Sequence, residues 1–230
     1  MSGLRYVANS PEVVLALLWQ HLSMVAITLL IATAIALPLG VLVARYRRLA
    51  TPVLGVLGML YTIPSIALMI FLLPFFGLNR RSVIVALVIY TQIILVRNVV
   101  AGLQAIDPAI LEAARGMGMS GWQRLWRVQL PLALPVILAG ERIAAVVATA
   151  IATIGAKFNG GGLGVLLFDG IAQNRYDKIL AGSIVVALLA LALNRGLLLL
   201  ERTFDTSDRI RRAQKQRPLA DKPAGEPLRT

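Results

Sequence analysis

The sequence contains no cysteine and a single histidine, so several kinds of chemistry lack their usual residues. The absence of cysteine excludes disulfides, thiol nucleophiles and cysteine metal sites, and the lone His21 argues against a histidine metal site or a catalytic triad. Charged residues are also scarce, at 15% of the chain, whereas soluble domains contain about 25%. Since 58% of the residues are hydrophobic, the composition argues against a soluble nucleic-acid-binding domain, a solenoid and a globally disordered chain.

Long apolar runs are the main feature that is present, and a helix of roughly 20 apolar residues crosses a bilayer. Two runs carry no charge, 22–44 and 49–79. Pro64 and Pro74 lie in the second, which predicts a bent or interrupted helix there. Three further runs carry one or two charges each: 82–106, 128–156 and 179–200. We therefore predict an all-α integral membrane protein of about five transmembrane helices, with a membrane domain over residues 22–200.

The first run is longer than the core of about 7–15 residues that is usual in signal peptides. No basic cluster precedes it. These two features favour a retained signal anchor over a cleaved signal peptide.

Basic residues outnumber acidic residues by 23 to 11, and they are unevenly divided between the two sides of the predicted bundle. The side that holds the first and third connecting loops and the C-terminus carries 14 of them, and the other side carries six. The positive-inside rule therefore places the first side in the cytoplasm. Residues 1–21 are then extracellular. Residues 201–230 are predicted to form a basic, disordered cytoplasmic tail, which either stays solvated or contacts anionic membrane lipid.

The loop at 107–127 carries the clearest local signals. Asp107 and Pro108 are typical of a helix start, and Gly116 or Gly118 can end that helix in a left-handed conformation. Ser120 and Gln123 have the spacing of a capping box, which predicts the start of a second helix. The loop is therefore predicted to be a short stiff helix, a glycine break and a second helix leading into the fourth span.

Two small residues, Ala113 and Ala114, follow Glu112 near the middle of that first helix. A helix lying on the membrane surface would explain the mixture of apolar and charged residues, but not this pair. Small side chains permit close approach of another backbone, and a carboxylate beside them can pair with a partner's arginine. The pattern favours a surface on which another protein docks.

The same residues resemble the E-A-A-x3-G-x9-I-x-L-P signature of ABC importer permeases, with Val128 in place of the isoleucine. The matching positions are Glu112, Ala113, Ala114, Gly118, Leu130 and Pro131. The resemblance implies a bacterial inner-membrane protein in which 107–127 contains the coupling helix of a type I importer permease. It also implies two copies of a partner ATPase carrying ATP and Mg, a second permease copy or related permease, and an extracytoplasmic solute-binding protein. No Gly-Lys-Ser/Thr phosphate loop occurs here, so the chain is expected to be a transport subunit, not an enzyme, with no cofactor or metal of its own.

Within that family, Thr62-Ile63-Pro64-Ser65 and the glycines at 160–164 resemble the osmoprotectant importer permeases. The expected solute is glycine betaine, choline or carnitine. Methionine-importer permeases share the five-span layout and a similar glycine segment, so methionine or another amino acid stays open as the cargo. The resemblance is weaker at 157–159 and at Glu141. Two readings of another class are an ion-coupled secondary transporter and a membrane scaffold that transports nothing.

Six residues are candidates for the transport pathway or its gate. Pro64 is either a pathway-lining hinge or a packing kink, and Thr62 and Ser65 can bond the backbone groups that it frees. The glycine stretch lacks a following lysine, so a tight turn near the outer gate is favoured over a phosphate loop. The candidates are Thr62, Pro64, Ser65, Gly161, Gly162 and Gly164.

Charges at membrane depth form the last predicted group. An unpaired charge there costs about 2.5–3.5 kcal/mol on insertion scales, so each should have a protein partner or face a wet cavity. Topology suggests that Glu141 of the fourth span pairs with Arg97 of the third. We predict a structural network of Arg97, Glu141 and Arg142.

Overall fold

The structure, a computed structural model, describes residues 2–204, which form α-helices and short connections. Ten α-helices lie in this range, and the prediction of an all-α fold is confirmed. They are α1 (Ser2–Asn9), α2 (Pro11–Arg45), α3 (Ala50–Thr62), α4 (Ser65–Phe76), α5 (Arg80–Gln104), α6 (Pro108–Gly116), α7 (Gly121–Arg124), α8 (Leu130–Gly155), α9 (Gly164–Ala172) and α10 (Tyr176–Phe204).

Four helical segments in the described part are each long and apolar enough to cross a membrane. They are α2, α5, the continuous helix that contains α7 and α8, and α10. The helices α3 and α4 pass the same test only together, and they meet at an angle of 97°. The predicted interruption of the second span is therefore present.

The bent pair crosses the bundle once. On α3, Val53 and Leu57 pack in the cluster that contains Val100, near the C-terminal end of α5. On α4, Leu68 and Leu72 pack in the cluster that contains α5 residues from its N-terminal half, including Val83 and Leu87. A re-entrant loop would return to the end of α5 from which it started. Since the pair extends from one end of α5 to the other, it fits one bent span, which brings the described chain from four spans to the predicted number of about five.

Small residues bring α5 into close contact with two neighbours. A side chain on Gly40 of α2 would place its Cβ 2.5 Å from Val99, and one on Gly140 of α8 would place its Cβ 2.5 Å from Asn98. Close approach at small residues is how membrane helices gain packing energy, because burial from lipid supplies little. Helix α5 is consequently the central element, with α2, α3, α4 and α8 around it.

Two helices extend beyond the predicted bounds of the membrane domain. Helix α2 begins at Pro11, where proline suits a first helical turn, and continues through position 22, the predicted start of that domain. At the other end, α10 continues to Phe204, so 201–204 belong to a helix rather than to the predicted tail. The rest of that tail prediction, 205–230, lies outside the described residues.

Candidate functional site

The predicted coupling loop is capped as its sequence indicates. The side chain of Asp107 accepts a hydrogen bond from the backbone N–H of Ala109 at 2.9 Å, at the start of α6. Of the two candidate glycines, Gly118 is the left-handed one, with a φ of 73°. The N–H of Met119 donates to the carbonyl of Ala114 at 3.2 Å, which closes the helix end. These contacts hold α6 as a short rigid unit.

A capping box starts the next helix, also as predicted. Gln123 N–H donates to the Ser120 hydroxyl at 3.3 Å, and Ser120 N–H donates to the Gln123 side chain at 2.8 Å. One turn later the helix widens into a π-helical turn at Leu125–Gln129 and then continues as α8. The sequence did not predict this wide turn.

The signature residues differ in exposure. Glu112, Ala113 and Gly118 are exposed, and Pro131 is exposed at the start of α8 next to half-buried Leu130. Ala114, in contrast, is only 2% exposed because it packs within the chain itself. Of the two alanines, only Ala113 therefore lies on the exposed surface of α6.

The break in the second span is bonded more fully than the sequence suggests. Pro64 has no backbone N–H to donate to the carbonyl of Leu60, four residues earlier. That carbonyl is nevertheless paired, because the N–H of Ile63 donates to it at 3.4 Å. The Thr62 hydroxyl donates to the carbonyl of Met59 at 2.7 Å, as expected for a residue that bonds freed groups. The hydroxyl of Ser65 makes no hydrogen bond among residues 2–204. Pro74 lies inside α4 and does not interrupt it.

One residue that the sequence analysis missed contributes to the same break. The hydroxyl of Tyr90 on α5 donates to the carbonyl of Ile63, and Tyr90 is 3% exposed. A polar side chain inside an apolar span was the available signal. The contact ties the break to the central helix, while Thr62 and Pro64 are exposed.

Tyr90→Phe is expected to lower the stability of the break. The substitution leaves the ring in place and removes the donor to the carbonyl of Ile63, a loss worth about 1–2 kcal/mol. Thermal unfolding of the purified protein in detergent should show a lower midpoint. Tyr61→Phe is the matched control, because the hydroxyl of Tyr61 makes no hydrogen bond among residues 2–204 and its ring only packs edge-on against Tyr90 at 5.9 Å. Equal midpoints for the two variants would contradict the assigned hydrogen bond.

The glycine loop, residues 159–164, forms the tight turn that its composition predicts. Gly161 and Gly162 have φ values of 73° and 79°, a conformation that side chains rarely adopt. A Cβ on Gly164 would lie 2.0 Å from the carbonyl oxygen of Thr153. The loop therefore needs glycine both for its backbone angles and for its close contact with α8.

The residues just before this loop, where the family resemblance is weaker, occupy distinct positions. Lys157 is exposed, with its ammonium 4.6 Å from the centre of the Phe168 ring. Phe158 is buried in the core. Asn159 adopts a left-handed φ of 56° and donates to the carbonyl of Leu78 at 3.5 Å.

The predicted ion pair between Arg97 and Glu141 is wrong. Among residues 2–204, Glu141 is instead bonded to the hydroxyl of Thr33 on α2, and Arg142 forms an ion pair of 3.1 Å with Glu201 on α10. Arg97 is exposed on α5. The pairing failed because α5 and α8 are apolar on several faces, so the sequence does not indicate which face meets the neighbouring helix.

Glu141 lines a groove of about 1050 Å³ between α2, α8 and the C-terminal end of α10. Its walls are mostly leucine, alanine and proline side chains. Within residues 2–204, no three His, Asp or Glu side chains lie close enough together to hold a metal ion. Glu141 is accordingly placed as a hydrogen-bonding group between two spans.

Comparison with protein families gives one extended match. Residues 36–206 match the family described as "Binding-protein-dependent transport system inner membrane component". The matched region begins inside α2 and includes the coupling loop, the break at Pro64 and the glycine loop.

Several curated proteins resemble the chain over most of its length. It is 39% identical to the osmoprotectant import permease protein OsmW of Salmonella typhimurium, over 84% of this chain and 93% of that protein. It is 38% identical to the carnitine transport permease protein OpuCB of Listeria monocytogenes, over 86% and 90% respectively. It is 40% identical to the glycine betaine/carnitine/choline permease protein OpuCD of Bacillus subtilis, over 80% and 81%.

Among solved structures, a chain of the MetNI methionine ABC transporter in an inward-facing conformation has the same fold. The TM-score is 0.75 at 22% identity, and the match covers 85% of this chain and 98% of that one. A chain of an amino acid ABC transporter matches with a TM-score of 0.65 at 20% identity, over 87% and 98%. At these identities the likeness concerns the fold alone.

Proposed function

Because this chain belongs to the family of binding-protein-dependent transport system inner membrane components, we propose that it is the permease subunit of an ATP-driven osmoprotectant importer. The solute class is that of its relatives, which are named for glycine betaine, carnitine and choline. The observation that carries the ATP-driven part is α6, a helix capped at both ends that presents Glu112 and Ala113 to solvent. The chain's task is transport rather than catalysis.

ATP hydrolysis belongs to a separate subunit, of which two copies bind ATP and Mg. Each copy receives one α6, with Glu112 available to pair with a cationic side chain. Only residues 105–107 separate α5 from α6, and only residues 117–120 separate α6 from the helix that becomes α8. A displacement of α6 therefore moves the ends of two spans that pack against each other in the bundle.

The transport path lies between this chain and a second permease copy or a related permease. The core clusters around α5 are filled with side chains, so the path runs outside this single bundle. Helix α3 contains no buried residue, and only Ala181 and Gly182 are buried on α10. Thr62 and Pro64 are exposed at the break, which supports their role as pathway residues.

The glycine loop faces outward, toward an extracytoplasmic solute-binding protein. The distribution of basic residues, 14 on the coupling-loop side and six on the other, supports a cytoplasmic C-terminus. In this orientation the binding protein selects the solute and meets the outer end of the bundle, where the glycine loop and the start of α10 lie.

Uptake of labelled solutes tests the proposal. The complete complex, reconstituted in vesicles with its ATPase and binding protein, is expected to accumulate glycine betaine, choline or carnitine only when ATP is enclosed. Unlabelled osmoprotectant should compete, whereas methionine should not. Vesicles without the binding protein are the control, since the family is dependent on it.

Two results would contradict this proposal in different ways. ATP-dependent uptake of methionine, with no competition from the quaternary ammonium solutes, would support an ABC importer but with methionine as its solute. Uptake that continues without ATP and follows an ion gradient would indicate a secondary transporter instead.

A further inference from the structure

The only histidine of the chain connects three elements at the end of the bundle where the glycine loop lies. His21 belongs to α2 and its side chain is 0% exposed. Its Nδ1 accepts from the N–H of Leu163 in the glycine loop at 3.3 Å. Its Nε2 lies 3.2 Å from the carbonyl oxygen of Thr149 on α8. The side chain of His21 is thus fully inside the protein.

The two partners determine the form of the ring. An amide N–H can only donate, so Nδ1 must be unprotonated to accept from Leu163. A carbonyl can only accept, so Nε2 must carry the proton. The neutral ring with its proton on Nε2 is the form that makes both bonds. Both ring nitrogens are used inside the chain, which leaves His21 no free donor or acceptor for solute.

The preceding residue extends the contact to the next amide of the loop. The side-chain oxygen of Gln20 accepts from the N–H of Gly162 at 3.1 Å. The backbone carbonyl of Gln20 in turn accepts from the guanidinium of Arg80 at 3.2 Å, and that guanidinium also donates to the hydroxyl of Ser23 at 2.7 Å. Two successive side chains of α2 therefore bind two successive amides of the glycine loop.

The glycines fit these two side chains closely. A Cβ on Gly162 would lie 3.0 Å from Nδ1 of His21, and a Cβ on Gly161 would lie 2.6 Å from the side-chain oxygen of Gln20. A Cβ at either position would crowd the α2 side chain that bonds the loop, and the positive φ angles of both residues disfavour other side chains as well. The turn is consequently shaped to receive Gln20 and His21.

We propose that Gln20 and His21 are positioning residues that lock the glycine loop to α2 and α8. Both residues precede the 36–206 region that matches the family. This role rests on the proposed function in one respect, because it takes the glycine loop to lie at the outer end of the transport path. The lock gives the loop a fixed shape, which the outer gate and the solute-binding protein require during each transport cycle.

Hydrogen exchange of the assembled complex measures the lock directly. In His21→Leu, peptides that cover residues 160–166 should exchange about tenfold faster or more, because the amide of Leu163 loses its acceptor inside the protein. Peptides from the coupling loop, 107–127, are the internal reference, and their exchange should be unchanged. Faster exchange across the whole chain would show a general loss of stability and would overturn a specific role.

Two conservative variants separate the two bonds of the ring. His21→Asn places an oxygen near the position of Nδ1, so it should keep the bond to Leu163 and restore slow exchange. His21→Gln reaches toward Thr149 instead and should leave the loop amide exchanging as in the leucine variant. Transport should follow the same order, with wild-type and His21→Asn active, and His21→Gln and His21→Leu slowed about tenfold or more.

Because Gln20 is exposed whereas His21 is buried, a substitution at Gln20 tests the same contact with less risk of misfolding. Gln20→Leu should speed exchange at Gly162, whereas Gln173→Leu, an exposed glutamine that bonds Lys178, should not. Unchanged exchange at 160–166 in both Gln20→Leu and a folded His21→Leu overturns the lock. Faster exchange with normal osmoprotectant uptake overturns its role in transport while the proposed function stands. The exchange result is independent of whether the wild type carries these solutes.

Discussion

Glu112→Lys is expected to stop solute uptake while leaving the chain folded and inserted in the membrane. Glu112 is exposed on α6, and a surface substitution away from packing usually changes stability by about 0.5 kcal/mol or less. Its carboxylate is the one acidic group on the exposed face that we propose to dock on the ATPase. Reversing a charge within a hydrogen-bonded interface pair costs about 2–5 kcal/mol, which corresponds to a loss of about 30-fold or more. Loss of transport is measured as solute uptake in vesicles, and loss of docking as the amount of ATPase recovered with the tagged chain.

The matched control is Glu12→Lys, the same change at an exposed glutamate in the first turn of α2. It alters the net charge equally but lies at the other end of the bundle, so uptake and ATPase recovery should stay near wild type. Gly118→Asp, which alters the exposed end of α6 at a φ of 73°, should resemble Glu112→Lys. Normal uptake by Glu112→Lys at wild-type abundance would remove the coupling role from α6.

Gly164→Ala is expected to prevent the chain from reaching its folded state. The added Cβ would lie 2.0 Å from the carbonyl oxygen of Thr153 and 2.8 Å from the Cβ of Ala156. The first contact is with the backbone of α8, which cannot rotate away as a side chain could. Overpacking costs about 1–3 kcal/mol in typical cores, and a backbone collision this short belongs at or above the upper end of that range. Size-exclusion chromatography of a fluorescent fusion should show aggregated or degraded protein.

Gly196→Ala tests whether the effect comes from contact rather than from glycine itself. A Cβ at Gly196 meets nothing within 4 Å on α10, and alanine is the better helix former by up to about 1 kcal/mol. This variant should elute as wild type. If Gly164→Ala also eluted as a sharp, stable peak, the close approach of the glycine loop to α8 would be incorrect.

Local signals were predicted well from the sequence, because each depends on neighbouring residues. The cap at Asp107, the capping box at Ser120 and the break at Pro64 are all decided within a few positions of the chain, as is the glycine helix end, for which the sequence allowed Gly116 or Gly118 and the structure has Gly118. The number of spans followed from apolar length in the same way. The roles of these residues in coupling and in the pathway remain predictions.

Contacts between distant residues were missed for a common physical reason. Tyr90 with Ile63, Thr33 with Glu141 and Arg142 with Glu201 each join helices whose relative rotation the sequence does not reveal. In a soluble protein, the polar face of a helix would indicate that rotation. In these spans several faces are apolar, and the wrong pairing of Arg97 with Glu141 is the result.

The wide turn at Leu125–Gln129 has a consequence for how the chain crosses the membrane boundary. In a regular helix, residues seven apart lie on nearly the same face. Gly140 and Ala133 follow this rule and are both buried, yet Trp126, seven residues earlier, is 51% exposed. The turn inserts a phase shift, equivalent to one extra residue or about 100° of rotation. Within one continuous helix, the residues that face the bundle after the turn are therefore on a different side from those that face it before the turn. Because the helix is not broken, a displacement of the coupling loop is transmitted directly to α8.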